Sequence, residues 1–161
     1  MSICSQEKKN LVEDLGLFFQ ARHKFPPLAA RIYSILVLTS HDGYTFEDLM
    51  EITQNSKSSV STNLNLLVSL KFVEYYTKTG NRKRYFRSNG SYVKNMLVER
   101  MESVSNELKM VDKVNTFNRI NNPEKYEQKG YNGTVFQSYL ASEKENLEQA
   151  IQKINVYQIN N

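Results

Sequence analysis

The chain has 161 residues, 40% hydrophobic and 24% charged. That suits one domain, or a small domain with helical extensions, able to bury a core without disulfides. A single cysteine, Cys4, excludes an intrachain disulfide framework and a multi-cysteine zinc site. No apolar run approaches the roughly 18 residues of a membrane span. Glu13 and Asp14 interrupt the only early apolar stretch, so the start does not read as an export signal and a cytoplasmic location is expected. The net charge of +4 is focused rather than spread. Lys71, Lys78, Arg82, Lys83, Arg84 and Arg87 face one anion, Glu74, within residues 71–87, and such focusing points to an anionic partner.

Residues 6–24 read as a helix, with Leu11, Leu15 and Phe18 at helical spacing and Val12 and Phe19 widening the stripe. Pro26 and Pro27 end it and suit the first turn of a second helix, about residues 27–39. Phe25, preceding a proline, is extended. The second helix is apolar over much of its circumference, with Leu28, Ala29, Ile32, Tyr33, Ile35, Leu36 and Leu38, and Arg31 is its one full charge. Such a helix is central to a core. His41-Asp42-Gly43 is a turn. A third, short helix starts at Thr45, with Asp48 in capping-box position and Tyr44 and Leu49 placed as a hydrophobic staple. Leu49 and Ile52 are expected to face inward, and Gln54-Asn55 supplies the next turn.

The fourth helix spans residues 56–70. Val60, Leu64 and Leu67 share one side, and Ser58, Ser61, Thr62 and Asn65 share the other. Nothing bulky or acidic on that outward face would keep it from a DNA major groove about 12 Å wide. Residues 72–78 and 84–87 read as two strands, joined by the turn Thr79-Gly80-Asn81 and closed by Asn89-Gly90. A narrow polar helix beside a cationic hairpin is a winged helix-turn-helix.

From Ser91 a long helix carries Val93, Leu97, Met101, Val104, Leu108 and Val111 in a heptad-like seam. Residues 118–134 read as a loop with at most one helical turn. A last helix, about residues 134–158, has Leu140, Leu147 and Ile154 seven apart, with Ala150 and Ile151 between them. The seams fit either an intramolecular bundle or a dimer interface, and the second reading is preferred.

Three stretches resemble the MarR superfamily of winged-helix regulators, and most closely its GbsR branch. FPPLAARIYSILVLTS, residues 25–40, resembles the branch's helix with a Gly-Arg-Ile core: Arg31 and Ile32 match, and Ala30 replaces the glycine. SKSSVSTNLNLL, residues 56–67, resembles the Ser-Lys-x-Ser-Val-Ser opening of the recognition helix through Ser56, Lys57, Ser59, Val60 and Ser61. TGNRKRYF, residues 79–86, resembles the Gly-Asp-Arg-Lys wing through Gly80, Arg82 and Lys83, with Asn81 in place of the acid. Where the family has glycine after the recognition helix, this chain has Lys71. A left-handed cap there costs roughly 1 kcal/mol, which leaves open a different helix end.

The resemblance implies a mainly α (α+β) winged helix-turn-helix with N- and C-terminal dimerisation helices. Residues 1–24 would be the first of these, residues 25–90 the DNA-binding domain, and residues 91–161 the C-terminal dimerisation helices. It implies a homodimeric transcriptional regulator, often a repressor, and often one released by a small-molecule effector. The expected DNA contacts are Ser56, Lys57, Ser58, Ser59, Ser61, Thr62 and Asn65 from the recognition helix. Asn65 could pair with adenine and Thr62 could meet a thymine methyl. Asn81, Arg82, Lys83 and Arg84 would come from the wing.

Each of these features also has a plainer explanation. Serines at a helix start cap it, and cations on a hairpin protect strand edges. Phe18, Phe19, Phe25 and Tyr33 read as core rather than as an effector pocket, and Cys4 as an inert thiol. Neither His23 nor His41 has companions at metal-ligand spacing, so no metal or cofactor is expected. An enzyme is the poorest reading, because no phosphate-binding glycine loop, His-Glu-x-x-His or nucleophile elbow is present. The alternative is a winged-helix module that docks on protein rather than DNA. It would expose large apolar residues on the fourth helix, where only Leu66 lies near the edge.

Overall fold

In the computed structural model, which describes residues 6–39 and 42–159, the chain forms two compact units, Met1–Gly90 and Ser91–Asn161. Cys4 and His41 lie outside the described residues.

The first unit is assembled around α2 (Pro27–Val37), whose Ala29, Ala30, Ile32, Tyr33, Ser34, Ile35 and Leu36 are all buried. Proline at its start removes an N–H that would have had no helical partner. The buried Ser34 hydroxyl donates to Ala30 O at 2.8 Å, so this buried polar group is satisfied. Helix α1 (Gln6–His23) lies along α2 and buries Val12 and Gly16. Phe19 follows on the same face, its ring 4.7 Å from that of Tyr33. This phase leaves Leu11 and Phe18 exposed, at 43% and 56%. Of the sequence-predicted stripe, the flanking residues Val12 and Phe19 make the contact. Arg31, the charge on α2, pairs with Glu13 of α1.

At the end of α1, His23 sits among aromatic rings. Its centroid is 6.0 Å from Phe19, 5.3 Å from Phe25 and 4.8 Å from Phe72. Burial, and secondarily the charge of Arg22, lowers its pKa below the ordinary 6.5. The fold therefore favours the neutral imidazole. Its contribution to stability is complete above about pH 6.5 and is lost as the pH falls below that.

Helix α3 (Phe46–Thr53) has the expected capping box: Thr45 Oγ1 accepts from Asp48 N at 3.2 Å, and the Asp48 carboxylate accepts from Thr45 N at 2.8 Å. Leu49 is fully buried, but Ile52 is 38% exposed rather than inward-facing. A two-turn helix presents only a narrow face to the core, and the i, i+4 pair Leu49 and Thr53 occupies it. The Thr53 hydroxyl donates to Leu49 O at 2.6 Å. Gln54 then turns the chain in the left-handed region, at φ 53°.

Helix α4 (Lys57–Ser69) buries Val60, Leu64 and Leu67 and packs on α2 and α3. Its end keeps the left-handed geometry despite the missing glycine. Lys71 has φ 62°, its N–H donates to Val68 O, and the N–H of Phe72 donates to Leu67 O. This is the Schellman arrangement. Phe72, 8% exposed, inserts into the ring cluster around His23. The cost of the lysine is thus tolerated rather than avoided.

The sheet has three antiparallel strands, β1 (Tyr44–Thr45), β2 (Val73–Thr77) and β3 (Arg84–Ser88), in the order β1-β3-β2. Phe86 lies opposite Tyr44 on one side and Tyr75 on the other. The two-residue β1, too short to register as a sequence pattern, was not among the expected elements. It depends on Gly43, at φ 104°, where a Cβ would lie 2.1 Å from Phe86 O.

The second unit is a helical hairpin of α5 (Tyr92–Asn121), the single turn α6 (Pro123–Tyr126) and α7 (Asn132–Ile159). Asn115 pairs with Gln137 and Arg100 with Glu143, so α5 and α7 run antiparallel. Residues 118–121, expected in a loop, continue α5. The two seams face each other within the chain: Val104 and Leu140 are buried, and Leu97, Met101, Leu108, Val111, Leu147 and Ile154 are half-buried. Val93, expected to begin the seam, is 51% exposed.

The seam continues in heptad register through the buried Asn115 and Asn118. Asn115 Nδ2 donates to Gly133 O at 3.0 Å and Gln137 Oε1 at 2.8 Å. Asn118 Nδ2 donates to the Tyr131 hydroxyl at 2.7 Å.

Two stability measurements check these readings. Lys71→Gly should raise the stability of the first unit by roughly 1 kcal/mol, seen as a higher urea midpoint, because glycine adopts the left-handed cap without steric cost. Gly133→Ala should lower stability by about 1–3 kcal/mol, because a Cβ would lie 2.3 Å from Asn115 Oδ1 and 2.5 Å from Tyr131 Cε1.

Candidate nucleic-acid interface

Burial of Val60, Leu64 and Leu67 sets the rotation of α4, and helical periodicity then determines what faces outward. Ser58, Thr62, Asn65 and Ser69 form an exposed row at spacings of four, three and four, and Ser61 lies half-buried beside it. Lys57, in the first turn, is exposed. With Ser56, Ser58 and Ser61 it lines a shallow depression at the helix start.

The N-terminal hydroxyls are engaged with one another. Ser56 Oγ accepts from Ser59 N at 3.3 Å and lies 3.2 Å from Ser58 Oγ and 3.0 Å from Ser59 Oγ. These three serines therefore cap and stiffen the first turn, while the N–H groups and dipole of that turn favour an anion. Asn65 Nδ2 makes a long contact of 3.5 Å to Ser61 Oγ, and Thr62 is exposed.

The wing between β2 and β3 is shaped by Gly80, at φ 78°, and by Asn81. Asn81 Oδ1 accepts from Lys83 N at 3.0 Å, and its Nδ2 donates to the Tyr85 hydroxyl at 3.0 Å. Asn81 therefore builds the tip instead of offering a free amide. Lys83 Nζ lies 3.8 Å from Glu47, and Lys78 Nζ lies 3.5 Å from Asp42. Folding thus brings two acids to the hairpin that lie outside its own segment, and the local cationic excess is smaller than residues 71–87 alone suggest. Both pairs are exposed and weak.

Arg84 stacks on Tyr75 at 4.6 Å, Arg87 on Tyr76 at 4.9 Å, and Lys78 on Tyr85 at 4.4 Å. Arg87 also bonds Glu74 at 2.7 Å. These stacked tyrosines were missed from sequence, although tyrosines in both strands, with arginines in β3 and a lysine just after β2, are the signal for them. Among the described residues, Arg82 is the wing cation with neither an acid nor a ring against it.

The four wing positions and seven helix positions expected to meet DNA all lie in the first unit. Its described residues hold no group of three or more His, Cys, Asp or Glu able to bind a metal. No helix is long and apolar enough to cross a membrane, among the described residues.

No protein-family model matches the chain. It is similar to the HTH-type transcriptional regulator MmpR5 of Mycobacterium tuberculosis, with 30% identity over 76 residues, which is 47% of this chain and 46% of that protein. The chain thus matches about half the length of that curated relative. Among solved structures it is similar to a crystal structure of a transcriptional regulator. The TM-score is 0.55 and the identity 20%, covering 92% of this chain and 98% of the other. A mutant of MepR from S. aureus aligns with a TM-score of 0.42 and 23% identity over 84% of this chain and 91% of that one. The mostly helical architecture with a small three-stranded antiparallel sheet is the winged-helix fold of such regulators.

Because Arg82 is exposed and uncommitted, Arg82→Ala should weaken binding to duplexes of different sequence about equally. The slope of log affinity against log salt should fall by roughly one unit. Titrations from low to high salt measure both.

Proposed function

We propose that the chain is a sequence-specific, DNA-binding transcriptional regulator of the MarR superfamily, nearest its GbsR branch. It works in the cytoplasm as a homodimer that represses from a near-palindromic site. Residues 25–90 bind DNA, with α4 in the major groove and the wing on the backbone or minor groove. The observation that carries this reading is the row of small polar side chains on the outward face of α4, in the same compact unit as a basic hairpin. Phosphate contacts from Lys57, Arg82 and the first turn of α4 supply affinity, and the outward row supplies sequence preference. A protein-docking use of α4 is disfavoured, because Leu66, the apolar residue nearest that face, is half-buried.

Support for the homodimer comes from apolar surface that each unit leaves open. The α5 and α7 seams already face each other within the hairpin, so the more exposed apolar side chains lie on other faces. Residues 1–24 and 91–161 carry them. Leu11, Leu17 and Phe18 are exposed on α1, as are Met110, Val114, Phe117 and Ile120 on α5, and Val135, Phe136 and Tyr139 on α7. At about 100° per residue, Met110, Val114 and Phe117 lie on the same side of the antiparallel hairpin as Phe136 and Tyr139. A contiguous patch of this kind marks an interaction surface. A two-fold dimer would set two recognition helices about 34 Å apart, one turn of DNA. A small-molecule effector that releases DNA belongs to this reading too.

Light scattering at micromolar concentration should give a dimer that retards a duplex carrying an inverted repeat. Replacing the exposed Phe117 and Phe136 with glutamate should give a folded monomer with much weaker retention of that duplex. A wild-type monomer defeats the dimer, and a dimer that ignores duplex DNA defeats the regulator.

A further inference from the structure

We propose that Asn132 is a site of spontaneous deamidation, and that the isoaspartate it yields loosens the closed end of the α5–α7 hairpin. This goes beyond the DNA-binding reading and does not depend on it.

The chain has two Asn-Gly steps, Asn89-Gly90 and Asn132-Gly133. Asparagine is a chemically labile side chain. A glycine after it has no Cβ to crowd the backbone nitrogen that attacks the amide. The structure separates the two steps. Asn89 is held at two points: its Nδ2 donates to Lys71 O at 2.9 Å, and its N–H donates to Phe72 O at 2.8 Å. Its side-chain amide must give up a hydrogen bond before the carbon can be attacked.

Asn132 begins α7 and is exposed. The N–H groups of a first helical turn have no acceptor within the helix. Thr134 N and Val135 N donate to Tyr131 O here, and Gly133 N has no backbone acceptor among the described residues. The attacking nitrogen and the attacked amide are therefore both accessible. Packing also explains why the second residue is glycine. A Cβ at Gly133 would lie 2.3 Å from Asn115 Oδ1 and 2.5 Å from Tyr131 Cε1. The close approach that shuts the hairpin thus supplies the residue that makes Asn132 reactive.

In the reaction, Gly133 N loses its proton to hydroxide and attacks Asn132 Cγ. A C–N bond forms, the bond from Cγ to Nδ2 breaks, and ammonia leaves. Water then opens the cyclic imide at either carbonyl, with no change of oxidation state. One opening gives aspartate on an unaltered backbone, and a carboxylate suits a helix start. The other gives isoaspartate, which adds a methylene to the main chain just before Gly133. Gly133 O accepts from Asn115 Nδ2 at 3.0 Å, and the Tyr131 hydroxyl accepts from Asn118 Nδ2 at 2.7 Å. The added methylene falls between these two anchors, so both buried amides cannot stay matched.

The test ages the full chain in mildly alkaline buffer and follows both sites by peptide mapping with mass spectrometry. Asn132 should convert to aspartate and isoaspartate at a rate proportional to hydroxide. Asn89 should convert roughly tenfold more slowly, because its hydrogen bonds must open first. In urea the two rates should converge, and Asn132→Gln should remain unmodified at that position. The purified isoaspartate form should have a lower urea midpoint than Asn132→Asp, which carries the same charge on a normal backbone. Asn89 converting as fast as Asn132 in the folded chain overturns the site. So does a folded chain in which Asn132 stays intact while the chain in urea reacts. Equal midpoints for the isoaspartate form and Asn132→Asp overturn the effect on the hairpin.

Discussion

The one-sided burial of α4 against α2 is the constraint on which the rest depends. Val60 and Leu67 are completely buried and Leu64 nearly so. Rotating the helix by one residue, about 100°, would turn these three toward water and bring Ser61 and Asn65 inward. Each buried aliphatic contributes about 1.5–3 kcal/mol, and each unpaired amide or hydroxyl costs about 1–3 kcal/mol. The sum is comparable with the whole stability of a small domain, so the helix has one rotational setting. Its position along its axis is held at both ends. Ser56 caps the start, and the left-handed Lys71 turns Phe72 into the rings around His23, Phe25 and Tyr33. The polar row is presented because the apolar row has nowhere else to go.

The wing follows a different principle. A two-stranded ribbon is marginal alone, and this one is supported on each of its strands. β1 pairs with β3 on one side, and the Tyr76 hydroxyl donates to Asp42 O at 2.5 Å. Along the ribbon Arg84, Arg87 and Lys78 each lie over a tyrosine. Such stacking limits side-chain freedom before any partner arrives, which lowers the entropy lost on binding. It also separates the cations by role. Those held by rings or acids stiffen the hairpin, and Arg82 remains to act at a distance.

How much of this was legible in the sequence depended on length and periodicity. The buried row of α4, the capping box at Thr45 and the cationic turn could be read directly, because each is a local pattern with one physical solution. Ile52 was misplaced because a two-turn helix offers too few residues to define a face. The α1 stripe was partly mistaken because two adjacent apolar rows run along it, and the row that packs is the one with Val12 and Phe19, leaving Leu11 and Phe18 exposed. Strand β1 was invisible at two residues. The acids that approach the wing, Asp42 and Glu47, could not be found by counting charges along a segment, since their proximity comes from strand pairing. The role of Asn81 at the tip was equally hidden, because an exposed amide and a turn-building amide have the same sequence.

The seam of the second unit raises a subtler point. A heptad pattern specifies that two helices meet, but not which two. Here α5 is answered by α7 of the same chain, and the identity of the partner is written in the polar residues. Asn115 and Asn118 occupy seam positions where leucine would bury more apolar surface, and Asn115 Oδ1 has no hydrogen-bond partner among the described residues. Such a pair lowers stability yet tolerates few alternative alignments. Sliding α7 by one heptad would separate Asn115 from Gly133 and Gln137, and Asn118 from the Tyr131 hydroxyl, leaving buried amides unmatched. The register of the hairpin is therefore set by hydrogen bonds, and its apolar contacts merely permit it. With the register set, Met110, Val114 and Phe117 on one helix are held level with Phe136 and Tyr139 on the other, so the open apolar patch has a defined shape instead of a sliding one. A surface that docks in a single alignment requires such a fixed shape, and a greasier seam would not supply it.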